Sequence, residues 1–192
     1  MSLTAVLLCG GESRRMGRNK ATMDWGGRPL WQVQLEKLRE LAPDKILLSA
    51  REEPDWRPTD VDLVTDDAPS RGPLSGLAAA LTISSSDHLL ALAIDLPHLS
   101  ASQLRWMTEM AAPGVGAAPL LDDRIEPLAA VYPRESAQFF RDALDTREYL
   151  SLQPLIRELA DAGRMRLINV ASSDRELYKN VNTPEDLMHP SL

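Results

Sequence analysis

A glycine-rich, strongly basic segment follows the first apolar run of the chain. It reads GGESRRMGRNKA and places four cations within seven residues: Arg14, Arg15, Arg18 and Lys20. Glycine lets backbone N–H groups approach a ligand closely, and arginine and lysine supply fixed positive charge for phosphate oxygens. The segment therefore predicts a polyphosphate site. The alternative is a solvated basic turn that binds nothing.

The spacing in this segment fits neither of two common phosphate-binding motifs. A P-loop requires G-x-x-x-x-G-K-[ST], whereas Gly17 is followed by Arg18, Asn19, Lys20 and Ala21. A dinucleotide fingerprint requires G-x-G-x-x-G, whereas this segment has two adjacent glycines and a third only six residues later. The residues alone thus leave the kind of phosphate ligand open.

An aspartate stands where a metal ligand is expected. Asp95 directly follows the apolar run Leu89–Ile94 and precedes a Leu-Pro turn. Mg²⁺ is usually held by one or two carboxylates together with substrate phosphates, and ligands of α/β sheets bind at the carboxyl ends of strands. We therefore expect Asp95 to bind Mg²⁺. The alternative is an aspartate that caps the next helix, a role for which Ser100 is better placed.

Elements that would position these residues alternate along the chain. Apolar runs predict strands at Ala5–Leu8, Lys45–Ser49, Val61–Thr65, Leu89–Ala93, Gly116–Ala118 with Leu128–Tyr132, and Met165–Val170. Helical spacing predicts helices at Leu30–Leu41, Leu74–Leu81, Ala101–Met110, Arg134–Leu144 and Leu152–Ala160. The alternation predicts an α/β fold of three layers, α/β/α, with a Rossmann-like, mostly parallel sheet in a single domain over residues 1–192. The less regular residues 113–133 are expected to form a substructure across the edge of this sheet.

Composition argues against several classes of protein. A formal net charge of −7 disfavours general nucleic-acid binding, which spreads basic charge over a whole face. The one cysteine, Cys9, can form neither an internal disulfide nor a zinc site by itself, so we interpret it as a small buried hydrophobe. No apolar run approaches the roughly 18 residues of a membrane span, and no signal sequence is recognisable. We expect a cytoplasmic protein with neither nucleic-acid nor membrane partners.

Six segments resemble, in order, the motifs of a known family. They read LLCGGESRRMGRNKA, GGRPLW, RGPLSGL, AIDLPHLS, EPLAAVYP and NVNTPEDL, and together they span essentially the whole chain. The first is similar to L-A-G-G-x-S-x-R-M-G-x-D-K, the signature of nucleotidyltransferases and in particular of molybdenum cofactor guanylyltransferases. Two positions depart from it, because Cys9 stands where the family usually has alanine and Asn19 where it usually has aspartate. The resemblance implies a fold of the nucleotide-diphospho-sugar transferase type.

The resemblance also implies roles for individual residues. Lys20 would hold the triphosphate of GTP with Arg15 assisting, and Asp95 would hold the Mg²⁺. Asp66 rather than its neighbour Asp67 would contact the nucleotide. The implied contacts to nucleotide, metal or acceptor come from Leu8, Cys9, Gly10, Gly11, Lys20, Asp66, Gly72, Pro73, Leu74, Asp95, Asn180 and Asn182. The two asparagines would face the pterin-side substrate or the metal.

The implied reaction transfers GMP from GTP to the phosphate of molybdenum-molybdopterin. It forms the molybdopterin guanine dinucleotide cofactor and releases pyrophosphate. The attacking phosphate is ionised at neutral pH, so no general base is required, and catalysis rests on positioning and charge neutralisation. The implied partners are GTP and molybdopterin, with molybdoenzymes or cofactor-delivery proteins as further candidates.

Three alternatives stay open. A cytidylyltransferase that makes the cytosine dinucleotide of the same cofactor tends to read L-A-A-G where this chain has Gly10 and Gly11. A sugar-phosphate nucleotidyltransferase shares the loop, but such chains are commonly longer. A non-catalytic nucleotide-binding adaptor that delivers cofactor would not need both Lys20 and Asp95.

Overall fold

A mixed sheet forms the centre of the computed structural model, which describes residues 1–10, 20–65, 71–182 and 186. In chain order the described strands are β1 (Leu3–Leu8), β2 (Asp24–Trp25), β3 (Arg28–Pro29), β4 (Lys45–Ser49), β5 (Asp62–Val64), β6 (His88–Ala93), β7 (Gly116–Leu121), β8 (Arg124–Ile125), β9 (Ala129–Pro133) and β10 (Met165–Asn169). Seven of them lie in the order β10-β7-β9-β6-β1-β4-β5, and β8 pairs with β7 at one side. β2 and β3 form a separate hairpin.

Helices cover both faces of the sheet. They are α1 (Leu30–Glu40), α2 (Pro73–Ile83), α3 (Ala101–Glu109), α4 (Ser136–Thr146) and α5 (Leu152–Asp161), and short 3₁₀ segments cover Lys20–Thr22 and Ser172–Tyr178. Core residues of α1 and α3 cluster on one face, and those of α2, α4 and α5 on the other. The predicted three-layer arrangement is confirmed. In the described ranges no helix is long and apolar enough to span a membrane.

The central strand β1 shows why the sheet needs both layers. Ala5 and Leu7 belong to the core on the α1 side, whereas Val6 and Leu8 belong to the core on the α2 side. Successive side chains of a strand point to opposite faces, so a strand buried on both faces must be apolar throughout. The residues that follow β1 therefore leave the sheet from one of its central strands, at the carboxyl end of that strand.

Local sequence signals fix two of the helix starts. Ser100 and Gln103 form a capping box at the start of α3, as expected from the choice of Ser100 as the cap. Gly72 precedes α2 with a φ of 81°, a conformation that strains any residue with a β-carbon, and Pro73 follows at the start of the helix. Both starts lie close to the edge where the strands leading into them end.

Strand β9 breaks the parallel pattern. β6 pairs in parallel with β1 but antiparallel with β9, and β7 is also antiparallel to β9. Residues 113–133 therefore contribute strands within the sheet, and the prediction of a substructure across its edge is wrong. Because β9 runs the opposite way, the residues that precede it lie at the edge where β1 and β6 end. The single domain over residues 1–192 stays a prediction.

Candidate active site

The predicted glycine-rich loop leaves the sheet at its middle. The backbone N–H of Cys9 donates to the carbonyl of Ser49 (2.9 Å), and that of Ile94 donates to the carbonyl of Leu8 (3.1 Å). Gly10 is exposed, and a β-carbon added there would meet no atom of the described residues within 4 Å, chain neighbours aside. The fold thus leaves open space beside Gly10. Gly11, Arg15 and Asp66 lie outside the described residues.

Three predicted site residues meet at this edge. The Nζ of Lys20 donates to Oδ1 of Asn182 (2.9 Å) and to Oδ2 of Asp95 (3.3 Å). The side chains of Lys20 and Asp95 are 18% and 23% exposed, so both are accessible yet partly shielded from water. Shielding strengthens the electrostatic contribution of such charges. Residues far apart in sequence therefore form one polar cluster at the carboxyl end of β6.

Backbone contacts hold this cluster in place. The N–H of Val181 donates to the carbonyl of Asp95 (2.9 Å), and the N–H of Asn182 donates to Oδ2 of Asp186 (2.8 Å). Val181 is buried, which fixes the chain beside Asn182 against the protein core. The segment that carries the asparagines is thus tied to the turn after β6.

The cluster suits a cation of the magnesium type. Asp95 and Asn182 direct a carboxylate oxygen and an amide oxygen toward one positive charge, the ammonium of Lys20. Oxygen atoms are the ligands that Mg²⁺ prefers, and substrate phosphates usually complete its coordination. Among the described residues, no three His, Cys, Asp or Glu side chains are grouped as a metal cage. The two oxygen donors of Asp95 and Asn182 fit an ion whose other ligands come from a phosphate substrate.

A buried glutamate that the sequence analysis did not single out lies near Asp95. Glu126 accepts hydrogen bonds from Nη2 of Arg124 (2.9 Å) and from the N–H of Leu128 (3.3 Å). Burial raises the pKa of Glu126, and the negative charge of Asp95 raises it further, while Arg124 and Leu128 oppose the change. A lone acid immediately before a predicted strand was the available signal. That signal places Glu126 near Asp95 only if β9 runs antiparallel to β6, as it does here.

A cavity of about 800 Å³ adjoins the cluster. Its walls come from the β7–β8 hairpin, from the 3₁₀ segment Ser172–Tyr178 and from the residues after that segment. They include Arg124, Arg175, Lys179, Asn180 and Asn182. Asn180 and Asn182 thus line the same space, and Asn182 also contacts Lys20. The cavity is large enough for a small organic ligand. Its lining is mixed in charge, because Asp122 and Asp123 border it beside the three cations, and each cation is paired with an acid: Arg124 with Glu126, Arg175 with Asp122 and Lys179 with Glu176.

The Gly-Pro-Leu segment divides into exposed and buried parts. Gly72 and Pro73 are exposed, whereas the side chain of Leu74 is fully buried in the core, as is nearly all of Leu8. Any ligand contact of Leu74 or Leu8 would therefore come from the backbone. Arg71 donates to the carbonyls of Leu144 and Arg147 (2.9 Å to the latter), so its guanidinium serves the end of α4.

Cys9 is expected to be unreactive in the folded protein. Burial raises the pKa of its thiol, and the negative charge of Asp95 raises it further. Labelling by iodoacetamide at pH 8 should be at least about 100-fold slower than in guanidinium chloride, because the thiolate fraction falls about tenfold for each unit of pKa. Mass spectrometry measures the labelled fraction, with Cys9→Ser as the blank. The structure leaves Cys9 only partly buried, packed against the core on the α1 side, so the prediction of a buried residue holds in part. Equal labelling rates would contradict its interpretation as an inert hydrophobe.

The chain is similar to known proteins over nearly its whole length. Residues 5–165 match the model of the MobA-like NTP transferase domain. The chain is 32% identical over 188 residues to a probable molybdenum cofactor guanylyltransferase of Opitutus terrae, covering 96% of this chain and 93% of the relative. It is 34% identical over 186 residues to a molybdenum cofactor guanylyltransferase of Pseudomonas fluorescens, covering 94% and 89%.

Solved structures share the fold. A nucleotidyl transferase from Methanothermobacter thermautotrophicus superposes with a TM-score of 0.77 at 19% identity, covering 98% of this chain and 95% of the other. Molybdopterin-guanine dinucleotide biosynthesis protein A from Archaeoglobus fulgidus gives 0.69 at 23% identity, covering 97% and 95%. With the fold, the ordered motifs and the full-length relatives in agreement, the chain belongs to the MobA-like NTP transferase family.

Proposed function

We propose that this chain transfers GMP from GTP to the phosphate of molybdopterin, forming the guanine dinucleotide of the molybdenum cofactor and releasing pyrophosphate. The observation that carries the proposal is the meeting of Lys20, Asp95 and Asn182 at the carboxyl end of β6. Full-length relatives named as molybdenum cofactor guanylyltransferases support the choice of substrates. The proposed place of action is the cytoplasm.

The reaction needs no proton transfer at neutral pH. An oxygen of the acceptor phosphate forms a bond to the α-phosphorus of GTP, and the bond from that phosphorus to the bridging oxygen breaks. Pyrophosphate leaves with the electron pair. Since the attacking oxygen is already ionised, the protein's task is to position both phosphates and to offset their charge. The raised pKa of the Cys9 thiol fits a reaction without a cysteine nucleophile.

Each residue of the cluster has a proposed task. Lys20 would bind phosphate oxygens of GTP, because it is the last cation of the predicted loop in sequence and its ammonium is only partly exposed. Asp95 and Asn182 would hold Mg²⁺ through their oxygen atoms. When bound, the metal would neutralise charge on the triphosphate and polarise the bond that breaks. Arg15, Gly11 and Asp66 remain predicted contacts.

The acceptor is proposed to occupy the cavity of about 800 Å³ beside Asn182. Arg124, Arg175 and Lys179 border this space, and an acceptor phosphate would bind them in competition with the acids that pair with them, Glu126, Asp122 and Glu176. Asn180 lines the same wall and supplies an amide that can both donate and accept hydrogen bonds. This arrangement would bring the acceptor phosphate toward the Lys20 cluster from the side of the 3₁₀ segment Ser172–Tyr178.

Nucleotide choice tests the proposed function directly. Purified protein would be mixed with molybdopterin, Mg²⁺ and one nucleoside triphosphate at a time, with pyrophosphate release and the dinucleotide product measured. We expect release with GTP at a rate at least about 100-fold above that with CTP, since a site that hydrogen-bonds one base strongly rejects another. Release with CTP alone would identify a cytidylyltransferase. Nucleotide binding without any pyrophosphate release would identify a non-catalytic adaptor.

A further inference from the structure

The turn that carries Asp95 is held from behind by a fully buried glutamine. Gln34 lies in α1 and is 0% exposed. Its Nε2 donates to the carbonyl of Ala93 (3.0 Å) and, at longer range, to that of Ile94 (3.4 Å). A buried amide is costly unless it is hydrogen-bonded, and here its donor is used on the two residues that lead into Asp95.

A lysine one turn later in α1 completes the arrangement. The Nζ of Lys37 donates to Oε1 of Gln34 (2.9 Å) and to the carbonyl of Pro97 (2.5 Å). Together the two side chains bind carbonyls on both sides of Asp95. One helix thus fixes the entry to and the exit from the turn.

The position of Lys37 is energetically demanding. Burial lowers the pKa of Lys37 to about 8, and the negative charge of Glu40 only partly opposes this. Both of its acceptors are neutral amide oxygens. A lysine that loses hydration to bind neutral carbonyls stabilises the fold little by itself, and an apolar side chain would suit this half-buried place. The hydrogen bonds to the turn distinguish lysine from such a residue.

We propose that Gln34 and Lys37 are positioning residues that keep the carboxylate of Asp95 aimed at Lys20 and Asn182. The proposal rests on the role given above to Asp95. Contacts from the sheet and from Val181 hold the front of the turn, with Ile94 donating to Leu8 (3.1 Å) and Val181 to Asp95 (2.9 Å). On the other side of the turn, the contacts come from Gln34 and Lys37 of α1. A displacement of about 1 Å in such a group can cost about 100-fold in rate.

Two variants and two matched controls test the proposal. Gln34→Leu and Lys37→Met keep side-chain size while removing the hydrogen bonds to the turn. Gln32→Leu and Arg39→Met are the controls on the same helix, because Gln32 binds Glu36 (3.3 Å) and Arg39 binds Asp60 (2.9 Å), away from the turn. Circular dichroism would establish that each variant is folded, and if one of the pair does not fold, the other carries the same test.

The first measurement is hydrogen exchange, which needs neither metal nor nucleotide. Amides of residues 94–96, 98 and 99 and of Val181 are expected to exchange about tenfold faster in Gln34→Leu and Lys37→Met, because the lost hydrogen bonds lower the local opening energy by about 1.4 kcal/mol. The two control variants should exchange like the unaltered protein. Unchanged exchange in both test variants would overturn the proposal.

The second measurement separates positioning from simple stabilisation of the turn. The Mg²⁺ concentration for half-maximal pyrophosphate release should rise about tenfold or more in the two variants and stay constant in the controls. Faster exchange with an unchanged Mg²⁺ requirement would reduce the two residues to a structural role and overturn the proposal. Lys37→Arg, which keeps the donors, should restore part of the Mg²⁺ response. If Asp95→Ala left the Mg²⁺ requirement unaltered, the proposed metal role would fail instead, while exchange would still decide whether α1 holds the turn.

Discussion

Changing Asp95 to alanine is expected to lower Mg²⁺-dependent turnover by about 1,000-fold, equivalent to about 4 kcal/mol of transition-state stabilisation. Asp95 is the acidic member of the cluster that contains Lys20 and Asn182. Its backbone carbonyl, which accepts from Val181, is retained in the variant, so the turn should keep its place. Pyrophosphate release measured over a series of Mg²⁺ concentrations gives the effect.

The opposite end of the same strand supplies the control. Asp87 precedes β6, is exposed, and accepts a hydrogen bond from the N–H of Ser2 (2.8 Å). Asp87→Ala should leave turnover within about twofold, because surface charges this far from the site contribute little. Asp95→Asn keeps the shape and an oxygen atom but removes the charge, and should be nearly as slow as alanine. An unaltered Mg²⁺ response in Asp95→Ala would show that residues other than Asp95 bind the metal.

Changing Lys20 to methionine is expected to lower kcat/KM for GTP by about 100- to 1,000-fold, the usual effect of removing one group that stabilises developing charge. Lys20 is the described cation whose ammonium contacts both oxygen donors of the cluster. Loss of its partly shielded ion pair should change the free energy of unfolding by only about 1 kcal/mol. Activity should thus fall while the protein stays folded.

Lys45→Met is the matched control for this change. Lys45 is the first residue of β4 and lies at the amino end of the parallel strands, opposite the candidate site. There it pairs with Asp62 (2.6 Å). Its loss should leave kcat/KM for GTP within about twofold, because exposed pairs are weak and the site is far away. Lys20→Arg keeps the charge in a different shape and should recover part of the activity. Near-wild-type kinetics in Lys20→Met would remove this residue from the mechanism.

Most of the fold could be predicted because its main strands are continuously apolar and its helices show regular apolar spacing. The apolar run through β1 and the spacing of Leu152, Leu155, Ile156 and Leu159 in α5 are local signals. Strand direction is not a local signal, since antiparallel β9 between β6 and β7 depends on pairing between distant residues. The short hairpin β2–β3 was missed because two-residue strands have no period to detect.

Chain position alone predicted the candidate-site residues that follow parallel strands, whereas Asn180 and Asn182 came from the family resemblance. Asp95 and Gly10 come after strands, and they lie at the expected edge. Glu126 precedes an antiparallel strand, so the same rule overlooked it. Gln34 carried a signal that was not used: it lies four residues from both Leu30 and Leu38, and therefore on the core side of α1. A polar residue at a core position implies a buried partner, which here is the turn before Asp95.

The hydrogen bond between Lys20 and Asn182 can form only late in the synthesis of the protein. The two residues are 162 positions apart, and at roughly 5 to 20 residues per second the ribosome adds Asn182 about 8 to 32 s after Lys20. β1, β4 and β6 are all synthesised well before the end of that interval. A nascent chain can therefore pair its central strands while Asn182, one of the three residues of the polar cluster, has yet to be translated. Proteolysis after Tyr178 would return a mature molecule to that unfinished condition, with every described strand intact and the Lys20 cluster incomplete.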